Sequence, residues 1–166
     1  MDNHIRLVRK EDARSIIEIY NYYVLNTEIS FEEEAVSEEE MGKRIDEKIK
    51  MFPWIVYEEK GILLGYAYVG KWKERSAYRH TVEDTIYVKE SERGKGIGQK
   101  LFEGIMEEIF KDRDVHAIMG VIALPNKSSV QIHERNGFIK AAHFKEVGYK
   151  NNKWIDVGYW EKVIER

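Results

Sequence analysis

The sequence predicts a mixed α/β fold, in which a mostly antiparallel central sheet with one parallel crossover is flanked by helices. Three observations support this prediction. Runs with strand character alternate with runs of helical spacing, two β-rich runs are joined by a short loop ending in glycine, and a strand, loop, helix and strand follow one another further on. With 166 residues and no low-complexity linker, residues 1–166 are expected to form a single domain.

The amino-terminal third is predicted to hold one short strand and two helices. Residues 5–8 form an apolar strand-like run, and a helix that opens near Asp12 places its isoleucines and tyrosines mostly on one face. Ser37 and Glu40 match a capping box, which places the start of a second helix at Ser37. The apolar stripe of this second helix is Met41, Ile45 and Ile49.

A hairpin and a further strand come next. Residues 54–57 and 62–69 are rich in β-branched and aromatic side chains, and the loop of residues 58–61 ends in a glycine. Residues 81–88 form another predicted strand. These runs give the antiparallel part of the predicted sheet.

The parallel crossover is predicted from the segment that follows. Apolar residues between 101 and 109 recur at helical spacing, and the apolar run 117–124 returns as a buried strand. A short helix from residue 128 to about 135 ends at Asn136-Gly137, a typical left-handed stop. Residues 138–147 and 155–163 are the last two predicted strands.

Composition excludes several classes of protein and site. The formal net charge is -3, which argues against a protein that binds nucleic acid mainly by neutralising its phosphates. The chain has no cysteine, so it can form no disulfide, no thiolate zinc site and no cysteine nucleophile. The five histidines show no metal-ligand spacing. We therefore expect neither a nucleic-acid partner nor a bound metal.

The hydropathy pattern bears on location. The first residues are polar, and the sequence contains neither a signal-peptide pattern nor an apolar run of membrane length. We therefore expect a cytoplasmic protein with no membrane partner.

The strongest functional signal is a cluster of alternating glycines. Gly94, Gly96 and Gly98 lie between the predicted strand 81–88 and the predicted crossover helix. Glycines let successive backbone N–H groups point inward, and a helix amino terminus adds partial positive charge, so such a loop can bind an anion such as a pyrophosphate.

Two familiar phosphate-binding motifs do not fit this loop. A dinucleotide fingerprint requires Gly-x-Gly-x-x-Gly, but the last position is Gln99 in one register and Leu101 in the other. A Walker loop requires Ser or Thr after Gly-Lys, where this chain has Gly96. The loop is therefore of another class.

The pattern Arg93-x-x-Gly96-x-Gly98 resembles the acyl-CoA pyrophosphate loop of the GCN5-related N-acetyltransferase family. Further ordered segments resemble the branch of that family that acetylates phosphinothricin and methionine sulfone or sulfoximine. They are residues 78–88, Leu124-Pro125-Asn126, Ser129, His133-Glu134, Gly137-Phe138, Gly148-Tyr149-Lys150 and residues 154–160. The similarity is spread over nearly the whole chain.

The resemblance implies acetyl-CoA as the co-substrate. In the family, pantetheine pairs with the backbone of the strand before the loop, and the free N–H of Val88 is expected to stabilise the oxyanion. The residues implied to bind acetyl-CoA are Ile86, Tyr87, Val88, Arg93, Gly94, Lys95, Gly96, Ile97, Gly98, Gln99, Asn126 and Ser129.

The resemblance also implies the catalytic groups. Glu83 aligns with the general base of the branch, and a base is needed because an amine arrives largely as ammonium and must lose a proton, directly or through one water. His133 aligns with the group that protonates the departing thiolate. A single histidine on a helix is also a common structural residue, so both roles stay open for His133.

For the acceptor, the branch implies an aromatic wall at Phe31 and a second segment at Lys73, Glu74 and Arg75. Asp84 and Thr85 lie beside Glu83 and complete the predicted acceptor residues, with Arg79 as a further cation. Cationic side chains suit an amino acid that carries a carboxylate and a second anionic or sulfone-like group.

The function predicted on this basis is direct transfer of acetyl from acetyl-CoA to the α-amino group of a small amino acid. With no cysteine, no acetyl-cysteine intermediate can form. Two alternatives remain: the same fold acting on a polyamine, an aminoglycoside or a protein amino terminus, and a non-catalytic CoA-binding module. A homodimer is implied by the branch alone.

Overall fold

A computed structural model describes residues 4–165 and places seven strands in one sheet. The strands are β1 (Ile5–Leu7), β2 (Trp54–Glu59), β3 (Ile62–Lys71), β4 (Thr81–Val88), β5 (Ala117–Leu124), β6 (Ile139–Lys150) and β7 (Lys153–Val163). Their order is β1-β2-β3-β4-β5-β7-β6, and every neighbouring pair is antiparallel except β4 with β5. The predicted fold class is confirmed.

Four helices and three single turns of 3-10 helix complete the described chain. The helices are α1 (Ala13–Asn26), α2 (Glu38–Lys48), α3 (Ile97–Lys111) and α4 (Lys127–Arg135), and the 3-10 turns are Lys10–Asp12, Ser76–Tyr78 and Glu90–Glu92. Ser37 caps α2 as predicted, since its Oγ accepts the Glu40 N–H at 3.1 Å. No helix within residues 4–165 has the length and apolar character needed to cross a membrane.

The helices cover both faces of the sheet and bury a separate core on each. Leu101 and Ile105 of α3 are fully buried against one face, together with Ile55 of β2. Ile16 of α1 and Ile45 of α2 are fully buried against the other face. Because successive strand residues point to opposite faces, one sheet supplies both cores.

The last hairpin is longer than predicted. β6 continues to Lys150 and β7 begins at Lys153, where the sequence predicted an interruption over residues 148–154. Asn151 and Asn152 join the strands with φ of 52° and 59°, the positive values that a two-residue hairpin turn requires. Asparagine tolerates this conformation, so a two-residue turn is sufficient to connect the two strands.

The parallel pair β4 and β5 separates soon after it forms. Register pairing joins Thr81–Glu83 to Ala117–Met119 and extends no further. Beyond this point β4 stays with β3 as far as Val88, while β5 continues beside β7 as far as Leu124. Residues 84–88 and 120–124 therefore border an opening, called here the β4–β5 gap. The glycine loop and α4 follow directly from its two strands.

Candidate active site

A cavity of about 620 Å³ opens at the β4–β5 gap. This volume lies within the usual range for small-molecule sites. Fifteen of the residues predicted from the sequence to form the site line this one cavity. They are Phe31, Glu83, Asp84, Thr85, Ile86, Tyr87, Val88, Arg93, Gly94, Gly96, Gly98, Gln99, Asn126, Ser129 and His133.

Six predicted site residues lie outside the cavity wall. One of them is Arg79, which is exposed and donates to the Ser76 carbonyl at 3.2 Å. Lys95 is exposed and pairs with Glu92 at 2.9 Å, and Ile97 is buried in the core on the α3 face. Lys73, Glu74 and Arg75 are exposed in the segment after β3. Of these last three, Lys73 is close enough to Glu83 for its charge to lower the pKa of that carboxyl.

The backbone of Val88 faces the gap. The Lys89 N–H donates to the Leu64 carbonyl at 2.8 Å, which makes Val88 and Gly65 a non-hydrogen-bonded pair of the β3–β4 ladder. The N–H and C=O of Val88 consequently point away from β3. The Tyr23 hydroxyl donates to the Val88 carbonyl at 2.5 Å. This hydrogen bond ties α1 to the end of β4.

The glycine loop forms the mouth of the cavity. Gly94 and Gly96 have φ of 78° and 84°, which side chains with a Cβ rarely adopt. Gly96 is also the amino-terminal cap residue of α3. The first N–H groups of a helix have no partner within it and carry partial positive charge. The loop therefore has a backbone conformation suited to a pyrophosphate, and its predicted binding of one stays a prediction.

Asn126 and Ser129 contribute the opposite wall. The Asn126 Oδ1 accepts the Ser129 N–H at 3.2 Å and so caps α4. This is the capping role that the residue types suggested, and both residues also line the cavity. Their predicted contact with the co-substrate stays a prediction.

Glu83 lies on the face of the sheet covered by α1 and α2. It is opposite Gly70 in the β3–β4 register, and its side chain is half-buried. Burial raises the pKa of the Glu83 carboxyl to about 7, and the neighbouring charge of Asp84 adds to this, whereas Lys73 and Lys48 lower it. A carboxylate with a pKa near neutral is suited to accept a proton from an amine.

Asp84 points to the other face, as the strand alternation requires, and pairs with His133 of α4. The His133 Nε2 is 3.1 Å and 3.2 Å from the two carboxylate oxygens, and both side chains are buried. The His133 Nδ1 lies 2.7 Å from the Ser129 carbonyl oxygen. Because both ring nitrogens face acceptors, this geometry selects the doubly protonated imidazolium.

The electrostatics agree with that protonation state. Burial by itself lowers the pKa of His133, but the hydrogen bond and charge of Asp84 outweigh it, and the Ser129 carbonyl acts in the same direction. The pKa of His133 is therefore raised. This pairing favours the structural alternative for His133. It also engages Asp84 with α4, although Asp84 still lines the cavity, and its predicted role as an acceptor residue stays a prediction.

Gly120 makes room for the His133 ring. A Cβ at position 120 would lie 2.4 Å from ring atoms Cδ2 and Nε2. We expect Gly120→Ala to displace the ring, to break its pairing with Asp84 and to lower the free energy of unfolding by about 1–3 kcal/mol in denaturant titrations. Gly42→Ala is the matched control. Its Cβ would make only an ordinary 3.7 Å contact in helix α2, so stability should be unchanged or higher by up to about 1 kcal/mol. Equal losses in both variants would contradict the ring-displacement argument.

The roles of two residues of this region, Tyr23 and Lys150, were not predicted from the sequence. Tyr23 was recognised only as part of an apolar helix face. Lys150, in a strand of exposed residues, is itself buried and donates to the Val24 and Ser30 carbonyls at 2.7 Å and 2.6 Å, which fixes the segment leading to Phe31. The segment Gly148-Tyr149-Lys150 was recognised from the resemblance, but only the tertiary structure shows that Lys150 is buried and which carbonyl groups it contacts.

The structure shows no candidate metal centre among residues 4–165. No group of three or more His, Asp or Glu side chains converges there in a way that could hold an ion.

Comparison with known proteins agrees with this geometry. A model of the acetyltransferase (GNAT) domain matches residues 5–158. Phosphinothricin N-acetyltransferase of Streptomyces viridochromogenes is 32% identical over 161 residues, covering 97% of this chain and 87% of that protein. The L-methionine sulfoximine/L-methionine sulfone acetyltransferase of Salmonella typhimurium is 31% identical, covering 97% and 94%.

A solved structure gives the same result. The GNAT superfamily phosphinothricin acetyltransferase of Sinorhizobium meliloti, crystallised in complex with AcCoA, has a TM-score of 0.92 and 33% identity, covering 96% of this chain and 87% of that one. The glycine loop, the separated strands and these relatives together show that the chain belongs to the GNAT acetyltransferase family.

Proposed function

We propose that this protein transfers the acetyl group of acetyl-CoA to the α-amino group of a small amino acid of the phosphinothricin, methionine sulfone or methionine sulfoximine type. The observation that supports this proposal most is the environment of Glu83. This half-buried carboxyl has a pKa of about 7 and lines the cavity whose mouth is the glycine loop. The named activities of the relatives supply the acceptor class.

The co-substrate is assigned to the β4–β5 gap and the loop. The loop from Arg93 to Gln99 binds the pyrophosphate through the N–H groups that follow Arg93, because the Arg93 N–H itself donates to the Glu90 carbonyl at 3.2 Å. The exposed backbone edge of residues 86–88 pairs with the pantetheine. Asn126 and Ser129 close the other side. When bound, acetyl-CoA supplies a thioester carbonyl that an amine can attack.

The chain then contributes a base and an oxyanion donor. Glu83 accepts a proton from the substrate ammonium, directly or through one water, so that the nitrogen lone pair can attack. The Val88 N–H donates to the carbonyl oxygen as negative charge develops there. As the new C–N bond forms, the C–S bond breaks, and the thiolate takes up the second proton that the acetylated nitrogen releases.

The acceptor is assigned to the α1–α2 side. Phe31 is 46% exposed and provides an aromatic wall, and Thr85 shares the face of Glu83. Lys73, Glu74 and Arg75 stand outside the cavity wall. They are assigned to the acceptor on the resemblance, and Lys73 has the additional support of its effect on Glu83.

His133 has two proposed roles that a pH profile separates. If His133 protonates the thiolate, His133→Asn should remove the basic limb of the rate profile. If it serves only to hold β4 against α4, the limb should remain while stability falls. The contacts of both ring nitrogens favour the second outcome.

We also propose a cytoplasmic location and a single domain over residues 1–166.

We further propose that the protein is a homodimer. The hairpin β6–β7 presents exposed large apolar side chains that suit a subunit interface. They are Phe144, Val147, Tyr149 and Trp154. Light scattering at several concentrations tests the dimer, and a monomer throughout would overturn it.

An acetylation panel with CoA thiol release as the readout tests the function. We expect the highest kcat/KM among phosphinothricin, methionine sulfone and methionine sulfoximine, with unmodified amino acids lower. Preference for a polyamine, an aminoglycoside or a peptide amino terminus would overturn the acceptor class. Acetyl-CoA binding without thiol release for any amine would indicate a non-catalytic module.

A further inference from the structure

Lys48, the last residue of α2, reaches the strand pair that carries Glu83. Its ammonium lies 4.5 Å from the centroid of the Tyr68 ring on β3. A Cβ at position 70 would lie 2.8 Å from the Lys48 Nζ, so the ammonium occupies space that only a glycine leaves open. Gly70 is the register partner of Glu83. A cation from α2 is thus seated next to the proposed base.

Lys48 differs from the other basic residues of α2. Arg44 binds Glu32 at 2.7 Å and Glu40 at 3.0 Å, and Lys43 pairs with Glu39. Among residues 4–165, no carboxylate lies within ion-pair distance of the Lys48 ammonium. Its charge is therefore not neutralised by a direct ion pair, and it can act on Glu83.

The surroundings allow Lys48 to remain charged. It lines a second cavity of about 430 Å³ beneath α2, which gives its half-buried side chain access to solvent. The Tyr68 ring contributes a favourable cation–π contact on another side. Burial lowers the pKa of Lys48, the charge of Glu83 raises it, and the charge of Arg44 lowers it.

We propose that Lys48 is a positioning residue of the active site, whose ammonium, seated over Gly70, the register partner of Glu83, favours the ionised form of Glu83 that takes the proton of the incoming amine. This inference rests on the proposed function, because it concerns Glu83, the base proposed there, and adds Lys48 as the residue that supports it. Asp84 on the same strand opposes ionisation of Glu83, and Lys73 after β3 supports it from another direction. The charge of Glu83 also acts on the Tyr68 hydroxyl, whose pKa burial raises most and which Arg44 and Glu32 influence as well.

The first test is the pH profile of kcat/KM. Removing the positive charge in Lys48→Met should move the midpoint of the acidic limb to higher pH by about one unit. This is the lower end of the pKa shift that one close opposite charge causes in a carboxyl group. The rate should fall about tenfold at pH 6 and stay within about twofold of the parent on the alkaline plateau. Lys48→Arg should restore the original limb.

Gly70→Ala provides an independent variant of the same geometry. The added Cβ should push the Lys48 ammonium away and move the limb in the same direction by a smaller amount. In the Lys48→Met background, Gly70→Ala should have no further effect on the limb, because no ammonium remains to be displaced. An equal shift in both backgrounds would contradict the proposal.

A matched control and a direct titration complete the experiment. Lys50→Met removes an exposed charge two residues away and should leave the limb unchanged. In protein without ligands, the ¹³C carboxyl resonance of Glu83, assigned by its loss in Glu83→Gln, should titrate at higher pH in Lys48→Met. An unchanged midpoint would overturn the proposal. Because this readout needs no turnover, failure to acetylate any amine would count against the proposed function alone.

Discussion

Glu83→Gln is expected to bind acetyl-CoA with nearly unchanged affinity and to lose roughly 10²–10⁴-fold in kcat, the usual contribution of a general base. Glutamine keeps the size and most of the hydrogen bonding of the side chain but cannot accept the proton of the ammonium. Since Glu83 faces α1 and α2, away from the glycine loop, co-substrate binding should be spared. Stopped-flow or steady-state thiol release, with acetyl-CoA binding by calorimetry, measures both quantities.

The pH dependence sharpens this prediction. With the pKa of Glu83 raised to about 7, kcat/KM should fall tenfold per pH unit below about pH 7 in the parent. In Glu83→Gln the midpoint near pH 7 should disappear, because the group that titrates there is gone, and the remaining pH dependence should be that of the substrate amine. Raising the pH should also partly restore the variant, since more of the amine is then already neutral. Turnover near the parent's at pH 7 would rule out Glu83 as the base.

Asp84→Ala is expected to have the largest effect on stability, a loss of about 2–3 kcal/mol in the free energy of unfolding at pH 6. The substitution leaves the His133 imidazolium buried without its carboxylate. Deprotonation of His133 limits the cost, because the neutral ring can keep its hydrogen bond to the Ser129 carbonyl. Urea titration with two-state fitting measures the change.

Asp156→Ala is the matched control for Asp84→Ala. Asp156 also accepts from a histidine, His143, at 2.7 Å, but these side chains are 37% and 35% exposed. Exposed ion pairs contribute about 0–1 kcal/mol. Similar losses in the two variants would show that burial does not decide the value of the Asp84–His133 pair.

The difference in the free energy of unfolding between the parent and Asp84→Ala should change with pH in one direction. The folded-state pKa of His133 is raised above its unfolded value of about 6.5, so the pair stabilises the folded protein fully below that value. As the pH rises through the folded-state pKa, this contribution is lost. The stability difference between the parent and Asp84→Ala should therefore shrink at alkaline pH, and a difference that grows with pH would contradict the assignment.

Much of the fold followed from local patterns. Residues 81–88 and 117–124 were predicted with the bounds that β4 and β5 have. The first run is rich in β-branched residues, and the second is a continuous apolar run, which is typical of a buried strand. The last hairpin was predicted too short, since its outer strand carries many exposed polar residues and lacks a clear alternation. Its pairing depends on contacts with β7.

The candidate site likewise has one part that the sequence predicted and another part that only the structure shows. The glycine loop could be recognised because positive φ values and a helix amino terminus require particular residues at particular spacing. The roles of Lys48, Tyr23 and Lys150 could not, because each side chain acts on a partner brought close only by folding. Asp84 was placed beside Glu83 by sequence adjacency, and the strand alternation turns it to the opposite face.

The sequence by itself determined the mixed α/β class, the anion-binding loop and the family, because these depend on local residue order. The tertiary structure alone decided which charges meet. It pairs Asp84 with a histidine 49 residues away, seats Lys48 over Gly70, and leaves Glu83 half-buried with a pKa near neutral. The physical reason is that burial and charge pairing are properties of neighbours in space, and separation along the chain does not specify them.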